Sequence, residues 1–112
     1  MPLLTIETNT ESGDTSACLA DLSKTTADML GKPENYVMVI RRYNPDMLFA
    51  GSSQPTAFLE LKSLGMPEER TPEFSDTLCE LVSKHLGIQP SRVYIQFSSP
   101  DRHMWGWNSA TF

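Results

Sequence analysis

The sequence predicts an α+β fold in which a four-stranded mixed sheet, built from duplicated β-α-β units, carries two helices on one face. The main observation is a repeat: the segment LGKPENYVMVI from Leu30 aligns with LGIQPSRVYIQ from Leu86. Each copy ends a helical pattern at Leu-Gly, where glycine suits the residue after a helix, and then turns through a proline into a strand. A helical pattern precedes each copy and a strand pattern precedes each helix, so the chain contains two consecutive β-α-β units.

The first unit begins with the alternating segment LLTIET, which is typical of a strand. A helix is predicted from Thr15 to Leu30, because apolar side chains recur there at helical spacing. The strand VMVI follows this helix, and a turn through Asn44, Pro45 and Asp46 predicts that MLFAGS forms a short extra strand. The core-facing side of the helix is predicted to carry Leu19, Leu22, Thr26, Met29 and Leu30.

The second unit begins with the strand segment AFLELKSLG. The next helix has a start signal, with Thr71 predicted as the N-cap, Pro72 at the first helical position and Glu73 in the first turn. The strand RVYIQF then completes the sheet. The apolar face of this helix is predicted to carry Phe74, Leu78, Leu81, Val82, His85 and Leu86.

Two helices can cover only one face of a four-stranded sheet, yet several strands are apolar on both faces. All four residues of VMVI are apolar, and RVYIQF places Val93, Ile95 and Phe97 on one side with Tyr94 and Gln96 on the other. The uncovered face therefore needs a partner, and self-association into a closed homo-oligomer is the economical solution. The composition does not determine the number of subunits.

Length and charge limit the class of protein. The 112 residues predict a single domain, residues 1–112, and 39% hydrophobic with 21% charged residues is a globular composition. A net charge of −5 argues against nucleic-acid binding, which needs clustered basic residues. Because the chain shows no leader pattern and no apolar run of membrane-spanning length, we predict a cytoplasmic protein with no membrane contact.

Neither the cysteines nor the histidines have the spacing of a metal or redox site. Cys18 and Cys79 lie in separate helical segments and form no C-x-x-C pair, so they are predicted to be buried free thiols. His85 and His103 have no carboxylate or cysteine at metal-ligand spacing, and we interpret them as structural or surface residues.

The two ends of the chain carry features that a core does not explain. In MPLLTIET a proline stands directly before the first strand, and removal of Met1 would make Pro2 a secondary amine that can act as a base. The closing segment MWGWNSATF holds two tryptophans and a phenylalanine, which are too apolar to be left in water. This tail is predicted to pack on a neighbouring subunit, to line a pocket, or to do both at a subunit boundary.

Six segments in order give the chain a family resemblance: the MP start, GKPENYVMV, FAGSSQP, LKSLG, SRVYIQF and WGWNSATF. Together they resemble the macrophage migration inhibitory factor family of the tautomerase superfamily, nearly end to end. The resemblance implies a homotrimer whose three sheets surround a central channel, with an active site at each subunit interface. It also implies keto-enol tautomerisation with the N-terminal proline as the base, and no metal or cofactor.

The resemblance implies roles for individual residues. Pro2 matches the catalytic proline of the family, and Lys32 matches the lysine that binds the anionic group of the substrate. Leu64 matches an aliphatic residue whose backbone N–H serves beside that lysine. The thiol-redox motif proposed for the animal cytokine is absent, since TAFL stands at Thr56 to Leu59.

The remaining site positions are aromatic or depart from the family pattern. The resemblance implies that the neighbouring subunit supplies Tyr94. Gln96 stands where the animal proteins commonly have asparagine, and Trp105 is bulkier than the residue before Gly-Trp in some relatives, so it is predicted to narrow the mouth of the site. The aromatic wall positions are matched by Tyr36, Trp107 and Phe112.

The chemistry follows from elementary proton transfer. Enolisation removes a proton beside a carbonyl and returns one to another atom, so one group that accepts and donates near pH 7 can perform both steps. An ordinary α-amino group has a pKa of about 7.7 to 8.0. Burial among aromatic residues and a nearby Lys32 would both lower that pKa and increase the free base.

The sequence is compatible with three functions. The first is a tautomerase whose partner is a small-molecule α-keto acid or enol of the phenylpyruvate type. The alternative is a cytokine-like signalling protein with a vestigial site, which binds a protein receptor and is released from the cell without a signal peptide. The third, hydrolytic dehalogenation, would need extra arginines and a carboxylate near the proline, and the sequence shows no such set.

Overall fold

The computed structural model describes residues 1–112 and confirms the predicted fold class. Four strands form one mixed sheet, two helices pack on it, and a small hairpin ends the chain. The elements are β1 (Leu3–Thr8), α1 (Thr15–Leu30), β2 (Met38–Tyr43), β3 (Ala57–Lys62), α2 (Thr71–Leu86), β4 (Val93–Ser98), β5 (Gly106–Trp107) and β6 (Ala110–Thr111).

The order of the strands across the sheet is β2-β1-β3-β4. Within each β-α-β unit the two strands are parallel, so β1 pairs with β2 and β3 pairs with β4 in the same direction. The two units meet through an antiparallel pairing of β1 with β3. Each parallel pair needs a long crossover, which α1 and α2 supply.

The helices cover one face of the sheet. Leu4 and Ile6 of β1 share that face with Leu59 and Leu61 of β3, because residues paired in register project to the same side. All four are fully buried, and they join Phe74 of α2 in a core cluster of 13 buried residues. Neither helix combines the length and the apolar character that crossing a membrane requires.

The other face of the sheet, which we call the open face, has no helix over it. It carries Leu3, Met38, Ile40, Phe58 and Tyr94, which alternate with the core-facing residues of their strands. Met38 is 60% exposed and Tyr94 is 66% exposed. The structure therefore confirms that apolar side chains occupy both faces of the sheet.

The predicted N-cap of the second helix is wrong by one position. Thr71 is the first residue of α2 itself, and Arg70 precedes the helix without a capping side-chain bond. A short 3-10 turn runs directly into α2, so the Thr71 hydroxyl donates backwards to the Glu68 carbonyl at 3.0 Å and caps nothing. Pro72 is accordingly the second residue of α2 rather than the first, and Glu73 lies in the first turn, as predicted.

The predicted strand in MLFAGS is also wrong. This segment forms a single bridge between Phe49 and Ser52 and no regular strand. Ala50 and Gly51 have positive φ angles of 53° and 73°, which reverse the chain immediately after Phe49. The segment is therefore a tight loop before β3.

Candidate active site

A cavity of about 450 Å³ opens where β1 and β2 begin. Ten residues line it, and seven of them are hydrophobic. Among the residues singled out from the sequence, Pro2, Tyr36, Trp105 and Trp107 all lie in its wall. A largely apolar cavity with few polar groups is the usual form of a small-molecule site.

The parallel pairing of β1 and β2 brings Pro2 to this cavity. Leu3 is in register with Met38, and the Met38 amide donates to the Pro2 carbonyl at 3.0 Å. A 3-10 turn just before β2 carries Tyr36, whose amide donates to the Pro33 carbonyl at 3.1 Å. The turn after α1 therefore holds Tyr36 on the same side of the molecule as Pro2, which is buried.

The aromatic tail forms the opposite wall. β5 and β6 are joined by Asn108 and Ser109, whose φ angles of 53° and 62° are those of a tight two-residue hairpin. The hairpin is tied back to the preceding segment because the Phe112 amide donates to the Trp105 carbonyl at 3.1 Å. The tail thus folds back onto its own chain, where Trp105 and Trp107 line the cavity, so a pocket-lining role, one of the predicted placements, is what the single chain shows.

Three aromatic rings pack in a row, and two of them, Tyr36 and Trp107, line the cavity. The Trp107 ring meets Tyr36 edge-on, with ring centres 5.4 Å apart and an angle of 78° between the planes. Phe112 lies on Trp107 in a stacked arrangement, with centres 6.0 Å apart and planes 14° apart. Trp107 nevertheless remains 48% exposed, so its ring is available to a ligand.

The amino terminus has an electrostatic environment that disfavours protonation. The pKa of the Met1 amine is lowered from its ordinary 8.0, first by burial, then by the positive charge of Lys32 and then by that of Arg102. Lys32 follows the Gly31 cap of α1 and is half-buried, whereas Arg102 lies exposed on a 3-10 turn before Trp105. The same two cations would attract an anionic ligand in the cavity.

Five of the site residues expected from the sequence do not line this cavity. Lys32 lies close enough to act on the amino terminus and Phe112 stacks on Trp107, whereas the other three lie elsewhere. Tyr94 and Gln96 project from the open face of β4, which is the edge strand farthest from β2. Leu64 is buried, 6% exposed, just after β3 and does not line the cavity. A single chain therefore brings together only the part of the predicted site that surrounds Pro2.

Sequence reasoning did not identify all of the residues at the cavity. The cavity is also lined by three neighbours of Tyr36 in the repeated segment, Asn35, Val37 and Met38. Their position beside Tyr36 in the repeat could have predicted this. Arg102 had no such signal, because it belongs to no motif and approaches the amino terminus only in the folded chain.

Nowhere in the chain do three or more His, Cys, Asp or Glu side chains cluster as metal ligands.

A second, larger groove of about 500 Å³ runs along the outer side of α2. It is open and has one hydrophobic residue among seven, and none of the predicted site residues lies in it. Cys79 lines this groove, and burial raises the pKa of its thiol, as it does for Cys18, so neither thiol is an activated nucleophile. The cavity at Pro2 is therefore the better candidate for chemistry.

Comparison with known proteins gives the same family as the sequence motifs. The family sequence model described as macrophage migration inhibitory factor (MIF) matches residues 1–112 of this chain. The chain belongs to this family. The family is part of the tautomerase superfamily.

Curated relatives match over the whole chain, and solved structures match over nearly all of it. The macrophage migration inhibitory factor homolog of Trichinella spiralis is 36% identical over 114 residues, with 100% of both chains covered. The macrophage migration inhibitory factor of Rattus norvegicus is 33% identical, with 100% of this chain and 99% of the relative covered. Among crystal structures, the homologue from Prochlorococcus marinus has a TM-score of 0.92 and 38% identity, with 98% of each chain covered.

Proposed function

We propose that this chain is a cofactor-free keto-enol tautomerase that acts on phenylpyruvate-like α-keto acids, with Pro2 as general base and general acid. The observation that carries the proposal is the position of Pro2, buried in the wall of an aromatic cavity close to two cations. Membership of a family within the tautomerase superfamily supports the same reaction class.

The proposed reaction is a pair of proton transfers through one amine. After removal of Met1, the lone pair of the Pro2 nitrogen accepts a proton from the carbon next to the keto group. The electrons of that C–H bond form a C=C bond, and the carbonyl oxygen becomes an enolate oxygen. The protonated proline then returns the proton to that oxygen, which gives the enol and regenerates the free amine.

The surroundings of Pro2 favour both steps. Burial and the two cations lower the pKa of the Met1 amine, and the same influences would act on the amine left at Pro2. A lower pKa leaves more free base near pH 7. We assign Lys32 to the substrate carboxylate or the developing enolate oxygen, whose charge it would stabilise.

The aromatic wall suits an aryl substrate. In the proposal Tyr36, Trp107 and Phe112 contact the phenyl ring, and Trp105 narrows the entrance. The Trp107 ring faces a substrate of this kind with nearly half of its surface uncovered. Stacked or edge-on ring contacts of this type each contribute about 0.5 to 1.5 kcal/mol beyond burial.

In this proposal a neighbouring subunit of the same chain supplies the remaining residues of the site. A homotrimer would cover the open face, whose Met38 and Tyr94 are otherwise left in water. We assign Tyr94 and Gln96 to the cavity of the adjacent subunit, because they lie on that face and far from Pro2 in their own chain. The backbone N–H of Leu64 is assigned to the substrate anion beside Lys32.

The identity of the base can be tested with two forms of the same chain. Phenylpyruvate conversion is measured for a preparation without Met1 and for one that retains it, each of verified intact mass. An amide nitrogen has its lone pair delocalised into the carbonyl, so the form that retains Met1 should lose most of its activity while keeping its assembly. Equal turnover by a homogeneous Met1-retaining protein would contradict the mechanism.

A further inference from the structure

The Arg92 side chain holds the loop that precedes β3. Its Nε donates to the Pro55 carbonyl at 2.9 Å and its Nη1 donates to the Phe49 carbonyl at 3.0 Å. Its Nη2 donates to the carbonyls of Ser52 and Gln54, each at 3.0 Å. A guanidinium has five N–H donors, and this one directs four hydrogen bonds at a loop that has no regular strand of its own.

Phe49 connects this loop to the open face. The guanidinium carbon of Arg92 lies 5.4 Å from the centre of the Phe49 ring. The Phe49 ring in turn meets the Tyr94 ring edge-on, with centres 4.8 Å apart and planes at 68°. Tyr94 follows Arg92 by two residues and is 66% exposed; its ring meets the Phe49 ring, and Phe58 is its in-register neighbour on β3.

We propose that Arg92 is a positioning residue that fixes the Tyr94 ring through the loop and Phe49. The inference rests on the proposed function, because that proposal assigns Tyr94 to the cavity of a neighbouring subunit. A tyrosine on a strand has two common χ1 rotamers, and contact with a held phenylalanine selects between them. A ring that is ordered before substrate arrives loses less conformational freedom on binding.

Two substitutions separate the parts of this arrangement. Arg92→Lys keeps the positive charge and removes the planar fork, so it cannot bond four carbonyls in these directions. Phe49→Leu keeps all of the Arg92 hydrogen bonds, since Arg92 donates to the Phe49 carbonyl, and removes the ring that lies between the guanidinium and Tyr94. Arg70→Lys is the matched control, because Arg70 also makes two side-chain hydrogen bonds and lies 5.1 Å over a phenylalanine ring, with no tyrosine beyond it.

The kinetic test is a double-mutant cycle with Tyr94→Ala. Losing one aromatic contact with the substrate should change the binding of phenylpyruvate by about three- to tenfold. We therefore expect kcat/KM for phenylpyruvate to fall by about that factor in Arg92→Lys and in Phe49→Leu, mainly through a higher KM. In the Tyr94→Ala background both effects should disappear, because residues that act through Tyr94 are not additive with its removal. Arg70→Lys should leave kcat/KM unchanged in either background.

A spectroscopic test does not depend on tautomerase activity. Replacing the three tyrosines by 3-fluorotyrosine gives three fluorine resonances, and the Tyr94 resonance is identified by its loss in Tyr94→Phe. Arg92→Lys and Phe49→Leu should shift or broaden the Tyr94 resonance and leave that of Tyr36 unchanged. Arg70→Lys should alter neither resonance.

The outcomes distinguish this inference from the proposed function. An unchanged Tyr94 resonance in folded Arg92→Lys, or an undiminished kinetic loss in the Tyr94→Ala background, would overturn the positioning role. If the wild-type protein has no tautomerase activity, the proposed function fails and the fluorine resonance alone decides the role of Arg92. If Arg92→Lys does not fold, Phe49→Leu decides it by the same two measurements.

Discussion

Replacing Lys32 or Arg102 by glutamine should raise the pKa of the N-terminal amine. Each positive charge opposes protonation of the amine, and Lys32 lowers its pKa more than Arg102 does. We therefore expect Lys32→Gln to raise this pKa more than Arg102→Gln. Neither variant should reach the ordinary 8.0, because burial is the largest cause of the lowered pKa and remains in both.

The size of the effect has a ceiling. An amine with an ordinary pKa of 8.0 is about one-tenth neutral at pH 7, so a lowered pKa can raise the neutral fraction by at most about tenfold. Removing either cation should consequently slow acylation of the amine at pH 7 by less than about tenfold. Well above pH 8.0 the amine is neutral in every variant, and the rates should converge.

The assay uses the chain that retains Met1, because the amine whose pKa is lowered is that of Met1. The protein is treated briefly with an acylating reagent at a series of pH values, and the modified N-terminal peptide is quantified by mass spectrometry. Arg70→Gln is the control, because Arg70 pairs with Glu73 at 3.1 Å and is not a cause of the lowered pKa. A wild-type midpoint at or above 8.0, or identical midpoints for wild type and Lys32→Gln, would refute the reasoning.

Light scattering should give a mass three times the 12.6 kDa of the chain, and a stable monomer at micromolar concentration would contradict the shared site. Mixing Pro2→Gly subunits with Tyr94→Ala subunits should restore part of the activity, provided that each variant alone is severely impaired; no recovery in verified mixed trimers would count against the placement of Tyr94. Asp21→Asn should lower the free energy of unfolding at pH 7 by about 1 kcal/mol, measured in urea against Asp28→Asn, because Asp21 Oδ2 lies 2.8 Å from His85 Nε2 in a partly solvated position. This hydrogen bond is the main cause that lowers the pKa of Asp21 below its ordinary 3.8. The loss of unfolding free energy in Asp21→Asn should therefore be complete above pH 3.8 and should vanish as the pH falls through the folded-state pKa of Asp21. A loss that persists in acid would show that it does not come from the ionised Asp21 carboxylate.

The regular elements could be predicted because their signals are local. The helix from Thr15 to Leu30 has the predicted bounds, and its last turn ends at Gly31 with a φ of 65°. Hydrophobic spacing and a glycine after the helix act within a few residues, so no distant part of the chain has to be known. The errors at Thr71 and in MLFAGS arose where neighbouring turns compete with these local signals.

The candidate site was predictable only in part. Pro2, Tyr36 and Trp107 were expected from the family resemblance, and the structure brings them to one cavity. Their meeting depends on the parallel pairing of β1 with β2 and on the hairpin that folds the tail back. Arg102 was not foreseen, because an exposed arginine in a short turn has no periodicity that marks it.

The sequence by itself determined the two β-α-β units, the bounds of the first helix and an apolar open face, since these follow from spacings within the elements. Only the tertiary structure decided how Pro2 comes to lie beside the aromatic tail, that Arg102 joins Lys32 in acting on the amino terminus, and that four loop carbonyls surround Arg92. Such contacts join residues that are far apart in the chain. They depend on strand order and loop closure, which local hydrophobic patterns do not specify.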